Sequence, residues 1–300
     1  YDQLRRLADY VIGHDYPNLQ DHGRPYLALF REVVARTARL VAQWQLVGFA
    51  HGVMNTDNMS ILGLTLDYGP FGFMDAYDPG FVCNHSDYHG RYAFERQPSI
   101  GLWNLTCLAQ AMLPLFDPDD GEAAAGQARE VLAGYEPALV QAYACGMRAK
   151  LGLCDSRDGD QDLSARLLGL MQADRIDYTN LFRDLAELRL DKFADDSFLR
   201  DRFVDRAGFD AWLTDYRSRL RAEQSDDVRR RAAMQSVNPV YVLRNYLVQR
   251  AIERAEQGDY GEVGRLQNLL SHPFNEQPGM QMYAAEPPDW GRHIEVSCSS

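Results

Sequence analysis

Between Pro25 and Gly48 the chain carries one unbroken apolar stripe: Phe30, Val33, Val34, Thr37, Leu40, Val41 and Trp44. Spacings of three and four residues place all of them on one face of an α-helix. Proline suits the first helical turn, where its missing N–H costs nothing, and glycine suits the residue just past the end. A long helix with one apolar face needs partners along its whole length. This one also delivers the chain directly into a polar segment, "HGVMNTDNMSILGLTLDYG", residues 51–69.

Most of the remaining sequence reads as helix too. Leu4, Leu7, Ala8, Val11 and Ile12 form one expected buried face, and "SIGLWNLTCLAQAML" continues as helix behind Pro98. Another helix is expected from Asn238 (cap) and Pro239 (first turn) through Val242, Tyr246, Val248 and Ile252 to Gly258. "MSILGLTL" (59–66) is short, apolar and bounded by polar turns, so it reads as a buried strand or a tight hairpin about Gly63. From Asp67 to Pro98 there is no lasting period. A loop that long inside a compact region is usually functional, and the aromatic residues of "GPFGFMDAYDPGF" read as its packing. "FDPDDGEAAAGQ" (116–127) is the expected boundary to a second helical half, where runs such as "DDVRRRAAMQ" read as solvated helix faces. The proline-rich stretch 272–300 reads as an extended tail.

With 300 residues and 46% hydrophobic content, the chain can build a sizeable core. Its 43 acidic against 31 basic residues, a formal charge of −12, argue against a general nucleic-acid or anionic-membrane binder, whose footprint is basic. A bound divalent cation would still let such a chain handle nucleotide phosphates. No run approaches the roughly 18 uninterrupted apolar residues of a membrane helix. The charged opening "YDQLRRLADY" is not a signal peptide, and a start at Tyr1 in place of Met leads us to expect a fragment. Five cysteines without a CxxC pair imply a reducing compartment; Cys107, Cys145 and Cys154 are expected as core thiols.

Protein kinase-type enzymes place His-Arg-Asp on a catalytic loop, an Asn five residues after the Asp, and a metal-binding Asp-Phe-Gly beyond a short β segment. Here His51 fits the His, Asn58 follows at the spacing of the metal-binding Asn, and Asp67-Tyr68-Gly69 fits the Asp-Phe-Gly. The position of the usual base is Val53, which cannot accept a proton. Against this, Asp57 and Asn58 are also residue types that cap ordinary turns.

The block "HGVMNTDNMSILGLTLDYGPFGFMDAYDPGFVCNHSDYHGRYAFERQPSIGLWNL", together with "EVVARTARLVAQWQLVGFAHG", "NPVYVLRNYL" and the ending Cys298-Ser299-Ser300, resembles the selenoprotein O family, called YdiU in bacteria. The resemblance implies a mainly α chain: the helical, C-terminal lobe of a protein kinase-like fold with a short β-hairpin at the active site. The family's N-terminal lobe, with its glycine-rich loop and nucleotide-binding Lys and Arg, is expected to be absent from this chain. Residues 1–115 would be the catalytic core, with a catalytic loop at 51–58, the Asp-Tyr-Gly at 67–69 and an activation-type loop at 70–97. Residues 116–271 would be a helical extension and 272–300 a tail.

The activity so implied is protein adenylylation: AMP moves from ATP to Ser, Thr or Tyr hydroxyls of proteins, with UMP from UTP ascribed to bacterial members. By motif, Asp57 would be the proton acceptor, and Asn58 and Asp67 would hold Mg²⁺ or Mn²⁺, with Asp67 meeting ATP through the metal. The expected setting is the bacterial cytoplasm, with protein substrates and no nucleic-acid or membrane partner. The alternative is an inactive pseudokinase-like module that binds a nucleotide or a partner; Val53 favours it, and the paired oxygen ligands disfavour it. Cys298, where some relatives carry selenocysteine, is a redox candidate, the family's suggested partner lying in the N-terminal lobe. Cys83, His85, Asp87 and His89 alternate and would share one face of an extended strand, which makes zinc an option, although His85 and His89 read more simply as hydrogen-bonding within the loop.

Overall fold

The computed structural model describes residues 1–191 and 195–297. Helices α1 (Asp2–Asp15) and α2 (Pro25–Val47) lead into strand β1 (Phe49–Ala50), which pairs antiparallel with β2 (Gly72–Phe73). Helices α3 (Gln97–Phe116), α4 (Gly121–Leu132) and α5 (Tyr135–Lys150) follow a long irregular segment. Then come α6 (Asp160–Asp174), α7 (Tyr178–Leu185), the short α8 (Ser197–Arg200), α9 (Arg206–Ala222), α10 (Asp227–Val237), α11 (Asn245–Glu256) and α12 (Gly261–Leu270). The protein is mainly α, as the sequence patterns lead one to expect.

The central element is α2. Every residue of its apolar stripe is buried, and α1, α3, α4, α5 and β1 all pack on it. Gly48 ends it in the left-handed region (φ 70°), where a Cβ would stand 3.0 Å from the Tyr178 ring. The last carbonyls of a helix have no partner within it. Here the Tyr178 hydroxyl donates to Gln45 O (3.0 Å) and Leu46 O (3.2 Å), joining α7 to the end of α2. By length and composition residues 94–116 could cross a bilayer; in the fold α3 packs on α2 and α4, with Leu105, Ala109, Met112 and Leu115 buried.

Four sequence expectations are corrected. Residues 59–66 form a turn at Ser60–Gly63, not a strand, and Leu64 is 59% exposed. Side chains just past α1 and on α2 take up polar groups of this segment in place of a neighbouring strand: Tyr16 Oη donates to Ile61 O (2.6 Å) and Trp44 Nε1 to Thr65 Oγ1 (2.8 Å). The short β pairing is made instead by the residues just before His51 and just after Gly69. Next, Asn238 ends α10 and does not start α11; its amide nitrogen donates to Lys150 O (2.9 Å), deep in the interior. An Asn-Pro pair suits a helix end as well as a start, and the buried carbonyl decides. On α1 only Ala8 and Ile12 are buried, and Leu7 faces solvent. Finally, Cys145 and Cys154 are exposed and Cys107 half-buried, so none is a core thiol; among the described residues the buried cysteine is Cys83.

One ion cluster joins the distant segments. Arg244, 1% exposed, donates through Nη2 to Asp177 Oδ1 (3.1 Å) and through Nη1 to Asp75. Asp177 also caps α7 by accepting from Asn180 N (2.8 Å). Burial works against the guanidinium charge, but Asp177 and Asp75 outweigh it and hold Arg244 protonated above its usual range. Replacing Arg244 with Met strands the carboxylate of Asp177, which is 5% exposed. Urea unfolding of Arg244→Met is expected to show a loss of about 3–5 kcal/mol; a loss under 1 kcal/mol would mean that the cluster contributes little.

Candidate functional site

A polar loop that dives into the interior must find a partner for each of its backbone groups. Residues 49–55 do so through carboxamides. The Gln97 side chain, 0% exposed, accepts from His51 N (2.9 Å) and donates to Phe49 O (2.9 Å). Asn84 Nδ2 donates to Gly52 O (3.2 Å), Asn58 Nδ2 to Val53 O (3.1 Å) and Asn104 Nδ2 to Met54 O (3.0 Å). Asn55 Oδ1 accepts from Tyr92 Oη (2.6 Å). Gly52 stands at φ 81°, and a Cβ there would overlap Pro70 O and approach Cys83 Sγ to 2.8 Å. Only glycine fits that passage.

His51 lies beneath the loop, 2% exposed, with the Trp44 ring at 5.4 Å. Its Nε2 is 2.9 Å from Leu66 O, a pure acceptor, so Nε2 carries the proton and Nδ1 is the bare nitrogen. Nδ1 is buried with no hydrogen-bond partner. Burial therefore holds the imidazole below its usual pKa, although the Leu66 carbonyl and the Asp67 charge pull the other way. His51 is a neutral strut between the loop and the segment that leads to Asp67.

Asp67 is exposed and sits at φ 57°, a left-handed conformation uncommon for a residue with a side chain. Two tight turns follow, Gly69 N donating to Asp67 O (2.8 Å) and Phe71 N to Gly69 O (2.9 Å). Asp57 is exposed and Asn58 half-buried, both in a single 3₁₀ turn, Thr56–Asn58. The turn leaves the Asp57 carboxylate without a hydrogen-bond partner among the described residues. Because Asn58 spends its amide N–H on Val53 O, its Oδ1 is left for a ligand. A neutral amide oxygen and a carboxylate are the hard donors that Mg²⁺ or Mn²⁺ takes alongside phosphate and water, so this donor set fits such an ion.

Among the described residues no group of three or more His, Cys, Asp or Glu could hold a metal. The zinc option at Cys83, His85, Asp87 and His89 falls because the segment is a series of turns and not a strand. Cys83 Sγ points to Ala50 O, Asp87 accepts from Arg91 N (2.8 Å) and Tyr92 N (2.7 Å), and the His85 ring faces Glu295. The tail is not detached: Val296 bridges Asn84 in parallel, and His85 N donates to Val296 O (2.7 Å). Cys298 lies outside the described residues. Gln97, Asn84, Asn104 and Tyr92 had no sequence signal beyond being polar residues beside an apolar run.

The sequence profile of the family described as "Protein adenylyltransferase SelO" matches residues 1–271. The chain is 57% identical over 298 residues to the protein nucleotidyltransferase YdiU of Thioalkalivibrio sulfidiphilus, covering 99% of this chain and 60% of that one. It is 54% identical over 299 residues to the protein of the same name from Pectobacterium atrosepticum and 54% identical to that from Myxococcus xanthus, each match covering 100% of this chain and 60% of the relative. The chain thus spans about 60% of the length of these curated relatives.

Unfolding exposes His51 and restores its ordinary affinity for a proton, whereas the folded imidazole resists protonation. Below about pH 6.5 the unfolded state binds more protons, so this group's contribution to stability is present above 6.5 and is lost as pH falls through and below it. Between pH 7.5 and 5.5 the wild type is expected to lose up to about 1.4 kcal/mol more than His51→Gln in paired urea titrations. Equal pH dependence in the two proteins would show that His51 is not held neutral.

Proposed function

The chain belongs to the SelO family, and from that premise we propose that it carries the metal and acceptor side of a protein adenylyltransferase of kinase-like architecture. The observation that supports the reading is that the side-chain oxygens of Asn58 and Asp67 are uncommitted, while His51 ties the loop to Leu66 O next to Asp67. Mg²⁺ or Mn²⁺, when bound there, would neutralise charge on the phosphates of ATP. The acceptor hydroxyl of a Ser, Thr or Tyr attacks the α-phosphorus, the bond to the bridging oxygen of the β-phosphate breaks, and pyrophosphate leaves. The hydroxyl proton passes to the Asp57 carboxylate. Val53 cannot take that proton, and the exposed Asp57 on the neighbouring turn supplies the base. UTP would serve in the same way, leaving UMP on the acceptor.

The relatives named protein nucleotidyltransferase support transfer of a nucleotidyl group to protein. Val53 supports the same reading from within the chain, because an ordinary kinase base is missing where a phosphoryl transferase would have it. The pseudokinase-like alternative predicts nucleotide binding with no transfer at all, so one assay separates the two.

ATP labelled at the α-phosphate is expected to leave label on an acceptor protein, and ATP labelled at the γ-phosphate to leave none. Retention of the γ label would restore an ordinary kinase; binding without either label would make the chain a pseudokinase.

Asp67→Ala is expected to abolish metal-dependent nucleotide binding with the fold retained, and Asn58→Ala to weaken it less, both by calorimetric titration. Asp57→Asn should keep nucleotide affinity and lower the transfer rate by about 10²–10⁴-fold. A full-rate Asp57→Asn enzyme would remove Asp57 from the mechanism.

A further inference from the structure

Helix α5 ends on Lys150, which is 4% exposed, and its ammonium meets no carboxylate among the described residues. Its Nζ lies 4.0 Å from the Phe182 ring centroid and 5.2 Å from that of Tyr178. The carbonyl end of α5 and the faces of two rings each favour a cation weakly. Neither supplies a full negative charge, and buried lysines are ordinarily paired. Burial alone pushes the amine down to about 7.

The same lysine lines a cavity of about 560 Å³ between α2, β1, β2, α5 and the end of α10, with Thr65 and Tyr68 also on its wall. Its walls are otherwise mostly apolar, with Trp44, Leu46, Phe49, Phe73 and Val237 among them. A volume of a few hundred Å³ with hydrophobic walls and one placed polar group is the usual form of a small-molecule site. The single unmet charge selects the ligand: a cation with no partner, set in an apolar chamber, complements one anionic group on an apolar body.

We propose that this cavity binds a small amphiphile with one negative charge, of which a medium-chain carboxylate is the simplest, its tail among Trp44, Phe49 and Phe73 and its carboxylate on Lys150 Nζ. Thr65 and Tyr68 of the wall are close in sequence to Asp67, whereas Asn58 and Asp67 themselves do not line the cavity; the proposed ligand needs neither metal nor nucleotide. Binding is non-covalent; the carboxylate replaces the rings as the partner of the ammonium.

Decanoate and its neutral analogue decanol serve as probes, titrated into the chain by calorimetry and followed through tryptophan fluorescence, since Trp44 lines the cavity. Wild type is expected to bind decanoate at least tenfold more tightly than decanol, and Lys150→Met to abolish that preference while still binding decanol. Should Lys150→Met fail to fold, the ¹³Cε resonance of Lys150 in the wild type, at fixed pH, is expected to move on addition of decanoate and not of decanol. No decanoate binding, equal affinity for the two probes, or an unchanged preference in Lys150→Met would overturn the proposal. So would displacement of decanoate by ATP with Mg²⁺, which would give the cavity to the nucleotide site. Self-association that closes the cavity against decanoate would give it to a second copy of the chain, and would overturn the proposal equally.

Discussion

Backbone satisfaction in the interior is the constraint on which this structure turns. Residues 49–54 run mostly through the interior, with Phe49, Ala50, His51, Gly52 and Met54 all buried. An amide group stranded there costs about 1–3 kcal/mol. A sheet would solve this with neighbouring strands, but the β pairing here is only two residues long on each side. Side-chain amides of Gln97, Asn84, Asn58 and Asn104 do the work of those absent strands. They come from three parts of the chain, Gln97 and Asn104 both from α3, so the loop's shape is set jointly by α3, the long irregular segment and the loop's own 3₁₀ turn.

This arrangement separates two roles that a regular sheet would merge. Gln97, Asn84 and Asn104 hold the loop from residues that the proposed metal does not touch, and Asn58 divides the roles by atom, its Nδ2 on Val53 O and its Oδ1 unused. Asp57 is exposed and the Asn58 oxygen unused, and His51 ties the loop to Leu66 O, next to the left-handed Asp67. His51 works here by staying neutral: one nitrogen tied to Leu66 O, the other bare, the ring wedged against Trp44 and Phe49. A charged imidazole in that place would pull on the Asp67 carboxylate, which the proposed metal needs.

Periodicity made α2 legible down to its Pro25 start and Gly48 stop, because its stripe is buried on one side without exception. The same method misjudged α1, where Leu7 keeps the spacing but finds no neighbour. It also misjudged 59–66, whose apolar residues suit a strand while polar groups within it are claimed by Tyr16, just past α1, and by Trp44 on α2. At Asn238-Pro239 two local readings were equal, and a carbonyl 88 positions away chose between them. For the site, the order of His51, Asp57, Asn58 and Asp67 was readable, since motifs keep their spacing. The atoms that hold them were not, since Gln97 and Asn104 are ordinary amides until the fold brings them to His51 N and Met54 O. Lys150 was invisible for a like reason: a lysine at a helix end looks solvated until Phe182 closes over it.

The bridge between Val296 and the segment at Asn84 and His85 has a consequence for the order of events during biosynthesis. Asn84 holds Gly52 O, so the buttress behind the loop is finished only when residue 296 has been made and has docked. At about 5–20 residues per second the ribosome reaches that point roughly 10–40 s after it has passed residue 84. Throughout that interval the nascent chain carries Asp57, Asn58 and Asp67 on a loop with an incomplete support. A site assembled in this order gains its last buttress only well after its own residues have been made.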